Sequence, residues 1–415
     1  MAFGFSTTRY SPIAIDFGAD SIKLLQVVLG EPPQIVAAAS AEVPEHARTD
    51  PAARHAFYVE AIKMMLKAQP FKGKRAVCSI PAYQSLVQHL QIAKVEHEDL
   101  DEQIGIYLRQ RLNVDPSRMV IRSAHVGQVV REGSSKQEVI CFAVSKEAVM
   151  RHIETAHRAK LDVVDMHCEP HAIIKAFAHL YRRTDDDKRT TCFIDVGAAT
   201  TKVAITHGTS LVFAQNIHAA GDHLTRAMAK ADAVSFGEAR KRRVAAAKNI
   251  RPPTDAVKAQ TPVTSVAAAE RRGTGRATGI AAIDAQFQAE LGDPHTGGVA
   301  TISSLANPKK PAATETSHAD MIECLIDELQ LAVRYHQTMF PDRPIEKLVF
   351  LGGEANHVAT CQKIAKTLRI GAQLGDPLAR ACQQGNAVVG TGVDLRDPQP
   401  GWAVPFGLCL LEPSK

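Results

Sequence analysis

One short motif occurs twice in the chain, 179 residues apart, and it constrains the fold more than any other feature. In Thr191–Ile205 an apolar run ends at Asp195, small residues and two hydroxyls follow, and a second apolar run completes the motif. Ile15–Lys23 repeats this order, with Asp16 in the place of Asp195. Each copy predicts a strand, a tight turn and a returning strand. A repeat at this distance predicts two related domains.

Both turns carry the residue types of an anion site. Glycine allows the backbone to approach a ligand closely, and consecutive N–H groups of a turn can enclose an anion. The hydroxyl groups add donors, and an aspartate at a strand end can hold a hydrated cation such as Mg²⁺. A single copy suits an ordinary hairpin equally well, but two copies that face each other predict a cleft that grips a nucleotide polyphosphate.

Composition limits the alternatives. The 415 residues allow two or three domains, and the net charge of +5 is modest, without a long basic stripe that carries aromatic residues. We therefore expect no nucleic-acid partner. Eight scattered cysteines predict reduced, buried thiols in a cytoplasmic protein. No apolar run reaches the roughly 18 residues of a membrane span, and the N-terminus lacks a signal-peptide pattern, so any membrane link should pass through a partner or a peripheral contact.

Two further places along the chain are candidates for ligand contact. Lys347–Leu351 predicts a buried strand that runs into Gly352 and Gly353, where the backbone can approach a flat ligand. A plain strand-to-helix turn is the alternative there. Glu238 and Lys241 stand three residues apart on one predicted helical face and could reach one ligand, although the basic helix that carries them also suits a solvent-exposed face.

Patterns of composition and periodicity divide the chain. Residues 250–318 are rich in Ala, Thr, Pro, Gly and Ser and predict a disordered insertion. The rest is predicted to form an N-terminal tail at 1–11, a first domain at 12–190 with a small inserted subdomain at about 76–160, a second domain at 191–395, and a segment at 396–415 that packs back on the first domain. The predicted elements include helices at His55–Lys67 and Glu169–Arg182 and separate strands at Met119–Ala124 and Gly127–Arg131.

Three elements thus stand in order: two Asp-x-Gly hairpins and a strand that ends in Gly-Gly. This order resembles the phosphate-1, phosphate-2 and adenosine motifs of the actin/Hsp70/sugar-kinase ATPase superfamily. Within it, the sequence resembles the actin-like type IV pilus assembly proteins of the PilM family. The stretches that carry the resemblance are IAIDFGADSIKLLQV, HCEPHAIIKAF, CFIDVGAATTKVAI, IHAAGDHLTRAMAKADAVSFGEARKRR, LVFLGGEANHVATCQKIAKTL, LGDPL and WAVPFGLCL. They cover nearly the whole chain except residues 250–318.

The resemblance implies an α/β fold of two actin-like, ribonuclease-H-like domains that flank a nucleotide cleft, with small inserted subdomains. It implies ATP and Mg²⁺ as cofactors, with Asp16 and Asp195 orienting the metal through water. The residues implied to contact the nucleotide are Asp16, Gly18, Ala19, Asp20, Ser21 and Lys23 in the first hairpin, Asp195, Gly197, Ala198, Thr200 and Thr201 in the second, and Gly221, Glu238, Lys241, Gly352 and Gly353 beyond them.

The implied function is a cytoplasmic ATP-binding scaffold of type IV pilus assembly, at the inner face of the inner membrane. It would bind the short cytoplasmic peptide of an inner-membrane pilus protein, and its cleft would close with the nucleotide state. Self-association is left open. Turnover is expected to be slow or absent, because the candidate general base, Glu169, is equally ordinary as an acid at a helix N-terminus. Alternatives are an adaptor of a related secretion or cell-division system, a metabolic kinase of the superfamily, and a nucleotide-free scaffold.

Overall fold

The computed structural model describes residues 9–93, 97–131, 134–249, 318–383 and 393–411. Residues 1–8 of the predicted tail and all but the last residue of the predicted insertion lie outside this part of the chain. The described strands are β1 (Ile13–Phe17), β2 (Ser21–Val28), β3 (Gln34–Glu42), β4 (Arg75–Ile80), β5 (Ser85–Ala93), β6 (Met119–Arg131), β7 (Ser134–Ser145), β8 (Asp162–Cys168), β9 (Thr190–Val196), β10 (Thr201–His207), β11 (Ser210–Ile217), β12 (Lys347–Leu351), β13 (Ala372–Leu374) and β14 (Cys382–Gln383). The described α-helices are α1 (Glu45–Thr49), α2 (Pro51–Ala68), α3 (His97–Leu112), α4 (Lys146–Arg158), α5 (Glu169–Phe177), α6 (Gly221–Ala231), α7 (Phe236–Asn249), α8 (His318–Met339), α9 (Val358–Leu368) and α10 (Ala403–Leu410).

Two of the sheets share one topology. The first sheet has the order β14-β3-β2-β1-β4-β8, and the second has the order β11-β10-β9-β12-β13. In each, three strands form an antiparallel meander. Beyond the first strand of that meander, two further parallel strands continue the sheet. The internal repeat in the sequence therefore corresponds to two α/β domains of the same design. This confirms the predicted fold class, and we call the domains built on these sheets the first and second domains.

The two hairpins of the repeat also share their register. In the first sheet Asp16 pairs across the hairpin with Lys23, and in the second sheet Asp195 pairs with Lys202. Neighbours across an antiparallel pair have side chains on the same face of the sheet. Each aspartate therefore has a lysine beside it at the end of its strand.

A third, small sheet has the order β5-β7-β6 and packs against α3. It spans Ser85–Ser145, whereas β4 lies in the first sheet and α4 packs on α2 and β8. The separate unit is thus narrower than the predicted 76–160. Met119–Arg131 forms one strand, not the two that were predicted. A β-bulge between His125 and Gly127 lets the strand continue through the interruption in the sequence pattern.

Buried polar contacts join the small sheet to the second domain, and we call them the clasp. Glu138 on β7 is 1% exposed and accepts hydrogen bonds from Gln91 Nε2 at 3.3 Å and from the Tyr335 hydroxyl on α8. His89 Nδ1 lies 3.3 Å from Glu138 Oε1, and its Nε2 lies 3.2 Å from the carbonyl oxygen of Ala214 on β11. Burial opposes the ionisation of Glu138, but hydrogen bonds from His89 and Tyr335 hold its pKa below the ordinary value.

One apolar core runs from the first sheet to the second. It includes Ala14 and Leu25 of the first sheet, Phe193 and Val349 of the second, and Leu408 of α10. The apolar helix α10 packs against β1, β2, β4 and α5, so the end of the described chain lies on the first domain. No helix among the described residues combines the length and the apolar character that crossing a membrane requires.

Two predicted helices have different bounds in the structure. Helix α2 begins at Pro51 rather than at His55, because Asp50 caps it and accepts a hydrogen bond from the backbone N–H of Ala52 at 2.8 Å. Helix α5 ends at Phe177 rather than at Arg182, and a short 3₁₀ turn follows. Both differences lie at helix ends, where periodicity in the sequence is weakest.

Candidate nucleotide site

The first hairpin presents a buried carboxylate at its turn. Asp16, at the end of β1, is 7% exposed, and its Oδ1 accepts a hydrogen bond from Ser79 Oγ at 3.0 Å. Ser79 lies on the parallel neighbour β4 and also accepts the backbone N–H of Phe17 at 3.3 Å. The Tyr58 hydroxyl donates to the carbonyl oxygen of Gly18 at 3.0 Å. Strand β4 thus fixes the carboxylate, and Tyr58 on helix α2 holds the turn that follows it.

Both turns require glycine for the same steric reason. A Cβ atom at Gly18 would lie 2.6 Å from the carbonyl oxygen of Ser21, and one at Gly197 would lie 2.9 Å from that of Thr200. The N–H of Gly197 donates to the Thr200 carbonyl oxygen at 3.1 Å, which closes the second turn. Ala19, Ser21 and Ala198, the other small residues of the turns, are half-buried.

The second hairpin contains a buried lysine between two carboxylates. Lys202 Nζ lies 3.1 Å from Asp195 Oδ2 and 2.9 Å from Glu169 Oε2, and Asp195 is 4% exposed. In the first hairpin Lys23 Nζ lies 3.9 Å from Asp16 Oδ2. Lys202 occupies the position equivalent to Lys23 in the repeat, which is the signal that could have placed it among the candidate residues.

The charges of this group depend on one another. Glu169 begins α5 and accepts the backbone N–H of Ala82 at 3.3 Å. Burial raises the pKa of Glu169, the Lys202 ammonium opposes that rise, and the carboxylates of Asp16 and Asp195 add to it. Burial alone would lower the pKa of Lys202, but Asp195 and Glu169 outweigh it and raise the pKa. Asp16 also raises the pKa of Lys202. Contacts place the two turns together: Arg48 pairs with Asp20 of the first turn and with Asp222, whose N–H donates to the Ala198 carbonyl oxygen of the second turn.

The start of α6 is attached to the second turn. The N–H of Gly221 donates to the carbonyl oxygen of Gly197 at 3.0 Å, and the N–H of Asp222 donates to that of Ala198 at 2.8 Å. The Thr201 hydroxyl donates to the Ala219 carbonyl oxygen at 2.7 Å, so it serves this attachment. Gly221 therefore lies beside the predicted phosphate turn.

The Gly-Gly turn after β12 packs directly on the second hairpin. Gly352 has a φ of +86°, and a Cβ atom there would lie 2.3 Å from the Val196 carbonyl oxygen and 2.4 Å from Asp195 Oδ1. Glu354 accepts a hydrogen bond from the guanidinium of Arg243 on α7. Arg243 also donates to the Gly221 carbonyl oxygen at 2.9 Å. Arg243, which the motif analysis did not single out, thus joins α7, α6 and the turn at Gly352 and Gly353.

The predicted pair on α7 lies elsewhere. Glu238 is exposed and accepts a hydrogen bond from Arg242 Nε at 3.1 Å, and Lys241 is also exposed. In the described part of the chain no recorded contact joins either side chain to the hairpins. The residues of α7 directed toward the site are Arg240 and Arg243: Arg240 Nη2 lies 2.7 Å from Asp20 Oδ1 in the first turn. A role for Glu238 and Lys241 at adenosine stays a prediction.

The donor set fits a hydrated Mg²⁺ better than a cation held by protein ligands alone. No group of three or more His, Cys, Asp or Glu side chains within the described ranges is arranged to hold a metal ion. Asp16 and Asp195 offer two buried carboxylates at one site, and Mg²⁺ in nucleotide sites is bound by one or two carboxylates together with waters and phosphates.

Two domains of one strand order, with hairpin turns that open on a shared site, define the chain as an actin-like fold protein. The sequence model of the type IV pilus assembly protein PilM family matches residues 14–249, more than half of the chain. The chain belongs to this family. No curated protein sequence matches it significantly.

A solved structure agrees with the fold, and two others show a weaker likeness to the chain. A PilM-PilN type IV pilus biogenesis complex contains a chain that is 17% identical, with a TM-score of 0.68, and the match covers 97% of this chain and 98% of that one. The ethanolamine utilization protein EutJ from Carboxydothermus hydrogenoformans is 13% identical over 97% of this chain and 89% of its own, with a TM-score of 0.45. Component A of the (R)-2-hydroxyglutaryl-CoA dehydratase of Acidaminococcus fermentans is 11% identical over 97% of each chain, with a TM-score of 0.42.

Proposed function

We propose that the protein is an ATP-binding scaffold of type IV pilus assembly, in which a nucleotide lies between the two hairpin turns and sets the angle between the domains. The observation that carries this proposal is the pair of buried carboxylates, Asp16 and Asp195, at equivalent strand ends of two equivalent domains, with the ion pair of Asp20 and Arg240 joining the first turn to the second domain. A polyphosphate at this site would contact both domains at once. A ligand that binds one cleft angle better than another shifts the population toward that angle.

The turns supply the anion site, and the carboxylates supply the cation site. The backbone N–H groups of 18–21 and 198–200 would hold the phosphates, with the Lys23 and Lys202 ammonium groups beside them. Asp16 and Asp195 would hold Mg²⁺ through water. A bound Mg²⁺ neutralises phosphate charge.

We infer that hydrolysis is slow. A general base must accept a proton from an attacking water within hydrogen-bond reach. Glu169 is the carboxylate placed for this role, yet Lys202 holds its Oε2 at 2.9 Å. The nucleotide would then act mainly as a conformational ligand rather than as fuel for fast turnover.

The proposed partner is an inner-membrane pilus protein that offers a short cytoplasmic peptide, which would hold the scaffold at the inner face of the inner membrane. Membership of the PilM family and the fold shared with the chain of a PilM-PilN complex support this part of the proposal.

Equilibrium binding of ATP, with and without Mg²⁺, tests the proposal. We expect Asp195→Asn to weaken ATP-Mg²⁺ binding about tenfold or more, the effect of about 1.4 kcal/mol. Asp185→Asn is the matched control, because Asp185 is exposed and pairs only with Lys188 in the loop before β9. Equal affinity of the wild type and Asp195→Asn would refute the site assignment.

A further inference from the structure

Five charged side chains from both domains meet beside the first hairpin turn. Three are carboxylates and two are guanidinium groups, and we call them the bridging cluster: Asp20, Glu42, Arg48, Asp222 and Arg240. Asp20, Glu42 and Arg48 belong to the first domain, whereas Asp222 on α6 and Arg240 on α7 belong to the second. The cluster therefore connects the two sides of the candidate cleft.

Arg48 is the buried centre of the cluster. Its side chain is 6% exposed, and its guanidinium contacts Asp20 directly and lies 3.4 Å from Asp222 Oδ1. Its Nε donates to the Val43 carbonyl oxygen at 3.2 Å, and its guanidinium carbon lies 6.0 Å from the ring centre of Phe236 on α7. Arg48 is thus fixed to its own domain while it faces the other.

Arg240 makes the reciprocal connection from the second domain. Its Nη2 lies 2.7 Å from Asp20 Oδ1, and its Nη1 contacts Glu42 on β3. One carboxylate, that of Asp20, is therefore shared by an arginine from each domain. Exposed ion pairs contribute little free energy, but a buried guanidinium with shared carboxylates fixes geometry, and losing one partner is costly.

The position of Asp20 connects the bridging cluster with anion binding. Asp20 lies in the turn proposed to hold phosphate, where an unneutralised carboxylate repels a polyphosphate. Burial opposes the ionisation of Asp20, but Arg48 and Arg240 hold its pKa below the ordinary value, so the carboxylate is charged and paired. A guanidinium has five N–H donors and can bind a phosphate while it keeps a carboxylate partner.

We propose that Arg48 and Arg240 are positioning residues for the nucleotide: they neutralise Asp20 and, because they are anchored on opposite domains, they link the arrival of phosphate to the angle of the cleft. This inference rests on the proposed ATP site. It adds two residues that lie outside both hairpin motifs and assigns Asp20 a role through them.

The first test measures the Kd of ATP-Mg²⁺ for Arg240→Gln and Arg242→Gln. Both residues lie on α7, but Arg242 pairs with Glu238 on the exposed side of the helix. Because Arg240 neutralises the Asp20 carboxylate in the phosphate turn, we expect Arg240→Gln to weaken binding about tenfold or more and Arg242→Gln to stay within about twofold. Arg240→Lys, which keeps the charge, should recover part of the loss. Equal affinities of Arg240→Gln and Arg242→Gln would overturn the inference.

A second test asks whether Arg240 acts through Asp20. In an Asp20→Asn background there is no carboxylate charge to neutralise, so Arg240→Gln should weaken ATP-Mg²⁺ binding much less than it does in the wild type. A purely additive loss in the double variant would contradict the proposed role.

Thermal unfolding without nucleotide separates this inference from the proposed function. The same double-variant cycle should show a non-zero coupling between Asp20 and Arg240 in the free protein, because their contact does not need ATP. If the wild type fails to bind ATP while this coupling is present, the proposed function fails and the bridging contact stands. If ATP binds but the coupling is absent, the bridging contact fails and the ATP site stands.

Discussion

Lys202 illustrates how single residues set the character of the site. Its ammonium group lies between Asp195 and Glu169, and its side chain is 11% exposed. A buried cation with two carboxylate partners satisfies groups that would otherwise be very costly to bury. The equivalent Lys23 of the first hairpin lies 3.9 Å from its aspartate with a 20% exposed side chain, so the two halves of the repeat are similar but not equal. The lysine of the second hairpin therefore has the closer carboxylate partners and is the more buried of the two.

Replacing Lys202 should show how far the stability of the site depends on its ammonium group. We expect Lys202→Met to lower the free energy of unfolding by about 3–5 kcal/mol, because it leaves two buried carboxylates without a cation. Burial already raises the pKa of Glu169, and without the opposing ammonium of Lys202 it rises further, so the folded state binds more protons than the unfolded state above pH ~4.5. The loss should therefore be larger at pH 8 than at pH 5, as urea unfolding at the two pH values can measure.

Glu169→Gln supplies the control for that measurement. In the double variant Lys202→Met/Glu169→Gln one buried charge is gone, so part of the stability should return and the pH dependence should shrink. An equal loss for the single and the double variant at both pH values would show that Lys202 acts through packing alone.

At the scale of elements, the site is assembled by turns that follow strand ends. The second hairpin, the start of α6 and the turn after β12 contact one another through backbone groups, as the N–H of Gly221 and the position of Gly352 show. With a φ of +86° and a ψ of 171°, Gly352 occupies a region of backbone conformation that is essentially restricted to glycine. This close approach places the turn against Asp195.

Alanine substitutions in this turn should have very different effects at neighbouring positions. Gly352→Ala should cost about 1–3 kcal/mol for the backbone conformation alone, with a further cost for the contact with Val196, and it should weaken ATP binding by displacing Asp195. Gly353→Ala should change stability by less than about 0.5 kcal/mol, because a Cβ atom there has no heavy atom within 4 Å. Denaturant unfolding of both variants measures the difference, and similar losses would contradict the packing described for Gly352.

The sequence predicts a feature of the site well when residues close together in the chain determine that feature. The hairpins and β12 were predictable, since their alternation of apolar runs, glycine and aspartate is local. Ser79 was not, because its contact with Asp16 needs the parallel pairing of β1 with β4. The orientation of α7 could not be predicted either, because few apolar residues mark the inward face of this helix. Arg240 and Arg243 could therefore not be distinguished from Glu238 and Lys241.

For the whole molecule, the two domains are connected at more than one place. The bridging cluster lies beside the candidate cleft, the shared apolar core runs between the sheets, and the clasp joins the small sheet to the second domain. The clasp is largely buried, whereas Glu42 and Asp20 of the bridging cluster are 62% and 38% exposed. The clasp should therefore hold while the cluster rearranges.

Glu138→Ala tests the contribution of the clasp. Removing this carboxylate takes one hydrogen-bond partner from His89 and one from Tyr335, at a total cost of about 1–3 kcal/mol. Hydrogen exchange should accelerate in β5, β6 and β7 while the hairpin at Asp195 stays protected. Glu147→Ala is the control, because Glu147 is exposed and pairs with Arg151 one helical turn away. Unchanged exchange in the small sheet would show that the clasp is not needed to hold it.

Both outer parts of the described chain lie against the same strand. Tyr10 bridges to Val28 of β2, and Cys409 Sγ on α10 donates to the carbonyl oxygen of Leu25 on β2 at 3.4 Å. The second sheet lies between them in the sequence, entered after β8 and left before β14. A pulling force applied through Tyr10 and α10 would thus pass across the first sheet and bypass the second.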